Sequence, residues 1–111
     1  MKSATLPKSE RLKKSDFKIL FREGKRIRGK LFSIQAVNRK ESVRRVSFAA
    51  HRRVGNAVMR NKAKRMLREA YRMKKNRYPK EFDIVLIAER KILSVDVATV
   101  EVEMARLLSE I

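Results

Sequence analysis

Apolar and polar residues alternate with a period of two from Leu31 to Val37 and again from Arg45 to His51, which predicts two β-strands. Phe32, Ile34 and Ala36 fall on one face, matched by Val46, Phe48 and Ala50, while Ser33, Gln35, Ser47, Ala49 and His51 fall on the other. One face is thus core and the other small and polar. The polar stretch Asn38 to Ser42 between the strands suits the turn of an antiparallel hairpin. Phe82 to Ala88 is a nearly continuous apolar run of strand length, broken by Asp83, and belongs in the middle of a sheet. Lys25 to Gly29 leaves room for an extra short edge strand.

The remaining apolar positions repeat at helical spacing. Ala57 to Lys75 gathers Met59, Ala63, Met66, Leu67, Ala70 and Met73 on one side and Asn61, Lys64, Arg65, Arg68 and Arg72 on the other. Glu69, four after Arg65 and three before Arg72, has the spacing of intrahelical ion pairs. A first, short helix is expected with Ser15 as its cap, Asp16 in its first turn, Phe17, Leu20 and Phe21 as its apolar residues and Gly24 as its stop. A last helix starts near Asp96 and carries Val100, Met104, Leu107, Leu108 and Ile111. The order α-β-β-α-β-α describes an α+β two-layer sandwich. Residues 1–14 are basic, contain Pro7 and lack apolar periodicity, so they read as an N-terminal arm to a single domain over 15–111.

Charge narrows the function. The chain has 30 Lys and Arg against 12 Asp and Glu, a net +18 that far exceeds what solubility needs and points to a polyanion. Arg44 to Lys80 holds fourteen of those cations and one acid, interleaved with core residues, so the charge sits on a folded face rather than a tail. Residues 92–111, by contrast, carry a net −3. The absence of cysteine excludes disulfides, thiolate zinc sites and cysteine nucleophiles. No apolar run reaches the length of a membrane span and no signal peptide is legible, so a cytoplasmic protein without a membrane partner is expected. Asp16, Glu69, Asp83 and Asp96 come from separate elements and form no two-metal nuclease motif. His51, the sole histidine, reads as a sheet-face residue that contacts RNA or is solvated. Neither a catalytic residue nor a protein-held metal is expected.

The segment Arg52-Arg53-Val54-Gly55-Asn56-Ala57-Val58-Met59-Arg60-Asn61-Lys62-Ala63-Lys64-Arg65 resembles the signature of the bacterial ribonuclease P protein subunits, departing from it only at Lys62, where the family pattern has arginine. The resemblance continues through Arg11 to Lys14, Asp16-Phe17, Phe21 and the Phe82 to Val85 strand. It implies a left-handed βαβ crossover, against the usual hand, and a protein that assists a large catalytic RNA in cutting the 5′ leader from precursor transfer RNA. The chemistry would belong to Mg²⁺ held mainly by that RNA, and charge neutralisation by the protein would lower the Mg²⁺ requirement. No protein homo-oligomer is required. The residues expected to bind RNA are Arg52, Arg53, Asn56, Arg60, Asn61, Lys62, Lys64, Arg65, Arg68 and Arg72. A leader groove is expected over Phe17, Phe21, Ser33, Gln35, Ser47, Ala49 and His51, with the aromatic rings stacking on unpaired bases. Gln35 stands where many relatives place an aromatic. The rivals are a ribosomal or other structural RNA-binding protein and a nuclease that cleaves without an RNA partner.

Overall fold

Why the strands take the order they do follows from which of them is apolar on both faces. In a computed structural model that describes residues 14–38, 45–74 and 82–110, with backbone only at 14–17 and 74, the elements are α1 (Lys14–Glu23), β1 (Lys25–Arg28), β2 (Phe32–Asn38), β3 (Arg45–Ala50), α2 (Ala57–Lys74), β4 (Phe82–Ala88) and α3 (Val97–Leu108). Expectations placed on the arm before residue 14, the turn at 39–44, Tyr78 and Pro79, and Ile111 lie outside the described residues. The sheet runs β1-β2-β4-β3. β4 lies antiparallel to β2 and parallel to β3, so β3, α2 and β4 make a parallel βαβ unit.

The expected β2–β3 hairpin is therefore corrected: the two strands are not neighbours, because β4 lies between them. Ile84, Val85 and Leu86 are all fully buried, and only an interior position hides both faces of such a run. The face assignment survives the insertion, since both strands take their register from β4. Ile34 and Phe48 both stand opposite Leu86, and Ala36 and Val46 both stand opposite Ile84. Asp83 is accommodated in β4 by Arg45, its register partner on β3, whose Nε and Nη2 reach the two carboxylate oxygens at 3.0 and 2.8 Å. That fork neutralises a carboxylate that is 3% exposed.

On one sheet face lies the main core, where Phe32, Ile34, Leu86 and Val46 meet Ala63, Leu67, Ala70 and Tyr71 of α2 and Val100, Met104 and Leu107 of α3. Tyr71 extends the buried stripe beyond the expected set, whereas Met59 and Met73, at its two ends, are largely exposed. α1 packs on the opposite face over β2, burying Leu20. Its helix already includes Ser15, which is thus a residue of the first turn and not the cap. Gly24 closes it, donating its N–H to Leu20 O at 2.9 Å.

α3 begins as the sequence predicts. Asp96 caps it, with Oδ1 accepting from the Thr99 backbone N–H at 2.9 Å and the Thr99 hydroxyl at 2.7 Å; these bonds, the hydroxyl's first, hold its carboxyl below the usual aspartate range. Glu103 ties the same helix to the β1–β2 corner, its carboxylate accepting the Lys30 N–H at 2.8 Å and the Arg106 Nε–H at 3.0 Å. Burial pushes the Glu103 carboxyl up, but the Lys30 N–H, Arg106 and the Leu31 N–H together outweigh it and lower the pKa. Gly29 permits this approach: a Cβ there would stand 2.6 Å from both Glu103 Oε2 and Phe32 O.

Candidate nucleic-acid interface

β3 ends at Ala50, and the chain then turns sharply through a single 3-10 turn, Arg52–Val54, into α2. Val54 is fully buried and anchors that turn, while Arg52 and Arg53 before it are exposed. His51 caps the turn: its Nδ1 accepts the Arg53 N–H at 3.1 Å. Gly55 follows at φ 135°, a region that favours glycine, and a Cβ there would meet Met59 Sδ. Asn56 then caps α2, its Oδ1 accepting the Met59 N–H at 3.0 Å. One lone pair of the Asn56 amide oxygen is thus committed to the helix, and its NH₂ group is left with two donors.

Along α2 the cations divide into two rows. Arg60, Lys64 and Arg68, four residues apart, are half-buried against the sheet, while Lys62, Arg65 and Arg72 are exposed with Asn61 on the outward face. The inner row borders β3, which is an edge strand. A cavity of about 340 Å³ opens there between Phe48, Ala49 and Ala50 on the strand and Ala57, Arg60, Asn61 and Lys64 on the helix. Arg68 lies over the Phe48 ring at 5.7 Å, and Phe48 meets Tyr71 edge-on at 5.6 Å, so one guanidinium is fixed by an aromatic pair. Phe48 and Tyr71 are not among the residues expected at the site; their signal is that Tyr71 lies four residues after Leu67 on the buried stripe, next to Arg68.

Among the described residues Arg60, Lys62, Lys64, Arg65 and Arg72 make no ion pair. Glu69 makes none among them either, so the intrahelical pairs with Arg65 and Arg72 that its spacing suggests do not form. Guanidinium and ammonium groups held in rows on a rigid helix suit phosphate oxygens spaced along a folded polynucleotide.

The groove expected on the polar sheet face is only partly open. Ser33 and Gln35 are 3% and 4% exposed, and Gln35 Nε2 donates to Leu20 O and Gly24 O at 3.1 Å each. Gln35 therefore satisfies the carbonyls at the end of α1, and this correction removes both residues from any open surface. What remains is a trough walled by α1 over β2 and floored by half-buried Ile87, Ser47, Ala49 and His51. Phe21 is 51% exposed. Phe17 lies in α1, but its side chain is outside the described residues.

The family model for ribonuclease P matches residues 6–111. The chain belongs to the ribonuclease P protein family. It is 36% identical over 111 residues to the ribonuclease P protein component of Syntrophus aciditrophicus, covering 99% of this chain and 93% of that one. The corresponding protein of Thermotoga maritima is 36% identical over 107 residues, 92% of each chain. Its solved structure superposes with a TM-score of 0.81 at 34% identity, covering 92% of this chain and 97% of that one. The Staphylococcus aureus RNase P protein gives 0.78 at 26% identity over 92% and 94%. Members of this family associate with the ribonuclease P RNA as subunits of an endoribonuclease holoenzyme that processes transfer RNA. The α+β architecture with its four-stranded mixed sheet is that of the family. No helix among the described residues is long and apolar enough to cross a membrane. No group of three or more His, Asp or Glu side chains that could hold a metal ion occurs among the described residues.

Proposed function

We propose that this chain docks on the catalytic RNA of ribonuclease P through the Arg52–Arg53 turn and the outward row of α2, and holds the 5′ leader of precursor transfer RNA in the trough between α1 and β3. The observation that carries this reading is the set of cations on α2 without carboxylate partners among the described residues. Phe21, 51% exposed on α1, supplies a ring on which an unpaired leader base stacks. Hydrolysis belongs to Mg²⁺ held by the RNA; the protein contributes binding, and by neutralising phosphates it reduces the Mg²⁺ needed to fold and load the RNA. The cytoplasm, where transfer RNA precursors are made, is the compartment that this role requires.

Reconstitution tests the proposal. With the matching RNA at low Mg²⁺, precursor cleavage is expected to rise sharply on adding the protein, and the protein alone leaves precursor intact. Cleavage by the protein alone, abolished by changing one of its own carboxylates, would reverse the assignment of the chemistry. A ribosomal or other structural RNA-binding protein would leave cleavage unstimulated.

A further inference from the structure

His51 accepts a hydrogen bond at Nδ1, so that nitrogen carries no proton and the neutral ring is protonated at Nε2. The bond it accepts comes from the backbone between the two arginines that open the RNA-binding segment. The imidazole is itself held in place: the His51 N–H donates to Ala88 O at 3.0 Å, continuing the β3–β4 ladder one residue beyond the strand. A rigid sheet thus extends through one side chain to the Arg52–Arg53 peptide. The turn has other supports, Val54 N–H to His51 O at 2.9 Å, Gly55 N–H to Arg52 O at 3.2 Å and the buried Val54 side chain, so loss of the imidazole bond loosens the arginines without unfolding the turn.

We infer that His51 is a positioning residue for RNA binding: as the Nε2-protonated tautomer it fixes the Arg52–Arg53 peptide, and so the directions in which the two side chains leave the backbone, before RNA arrives, with Arg53 Nη2 3.7 Å from Glu89 Oε1. This rests on the proposed docking of the turn on RNA and adds the group that sets its geometry. A backbone already ordered loses less entropy on binding, and two side chains leaving it in fixed directions favour phosphates at a matching spacing. The competing role is direct contact, in which the ring merely donates to or carries charge toward RNA.

The two roles separate by substitution. His51→Asn keeps a side-chain acceptor able to bond the N–H two residues on, as in an Asx turn. His51→Lys supplies a donor and a charge but no acceptor, and His51→Ala supplies neither. Binding to the ribonuclease P RNA is measured across a salt series, with Arg65→Ala alongside. His51→Ala is expected to weaken binding about threefold to tenfold, the range of one lost hydrogen bond, and to flatten the log-log salt slope by about one. His51→Asn restores affinity and slope; His51→Lys does not restore the slope. Because the chain has a single histidine, its ring ¹⁵N resonances report the tautomer without ambiguity. A ring protonated at Nδ1, an unchanged His51→Ala variant, or His51→Lys matching His51→Asn would each overturn the inference. If Arg65→Ala weakens binding while every His51 variant matches the wild type, the inference alone fails; if Arg65→Ala also binds as the wild type does, the docking reading fails with it.

Discussion

α2 and α3 pack side by side on the same sheet face, each with a fully buried stripe, yet they treat charge in opposite ways. On α3 the charged groups other than Glu101 are committed within the fold: Asp96 to the Thr99 cap, Glu103 to the Lys30 corner and Arg106, and Arg106 in turn to Glu110 at 3.9 Å. On α2 five cations have no ion pair among the described residues, and the one acid, Glu69, joins none of them. A helix whose charges are satisfied internally serves the fold. A helix that holds like charges together without internal partners is less stable for it, and that arrangement makes sense when a polyanion supplies the partners.

The sharpest way to break the comparison is to reverse charge on each helix. Lys62→Glu with Arg65→Glu removes two contacts of about 1.5–3 kcal/mol each, so RNA affinity should fall about 100-fold or more in a filter-binding assay, whereas Arg106→Glu should leave it within about twofold. Equal losses on the two helices would erase the distinction. Their interiors, by contrast, should behave alike. Leu67→Ala and Leu107→Ala, both from fully buried positions, are each expected to cost about 2–5 kcal/mol in urea unfolding.

Phe21→Ala sharpens the account of the trough. It should weaken precursor transfer RNA by about 1–3 kcal/mol while leaving mature transfer RNA unaffected, and equal losses for both would count against a leader site. At the structural helix, Asp96→Ala removes an exposed cap and should lower the urea midpoint modestly, with no change in RNA affinity. Glu103 gives the smallest signal. Its folded carboxyl is held below the ordinary glutamate value, so its contribution is fully present above that value and is lost as pH falls through the folded one. The acid limb of the stability curve should therefore flatten in Glu103→Gln, as followed by circular dichroism.

Much of this was legible in the sequence because period and charge are local properties. The existence of β2 and β3, the stripe of α2 and the start of α3 near Asp96 each depend on residues a few positions apart, and each is present. The strand pairing was not, because β2 and β3 take their register from β4, which lies far along the chain beyond α2. A polar turn is compatible with a hairpin without requiring one, and the doubly apolar strand decides the order. Gln35 escaped for a related reason: a polar residue on an alternating strand reads as exposed, and only the arrival of α1 turns it into a buried partner for helix carbonyls. The tie from Glu103 to Lys30 spans 73 residues and has no local signature. At the interface the residue types were plain but their division was not. Which cations lie in the half-buried row and which face outward depends on where the edge of β3 meets α2.

The salt dependence of binding to the ribonuclease P RNA tests most directly whether the outward row of α2 is a phosphate-seeking face. With about six phosphates engaged, the log-log slope should be near −4 if the contacted strand is single and steeper if it is duplex, and the Lys62→Glu, Arg65→Glu variant should flatten it by about two or more. A slope near zero in the wild type, or one that the double variant leaves unchanged, would contradict the account.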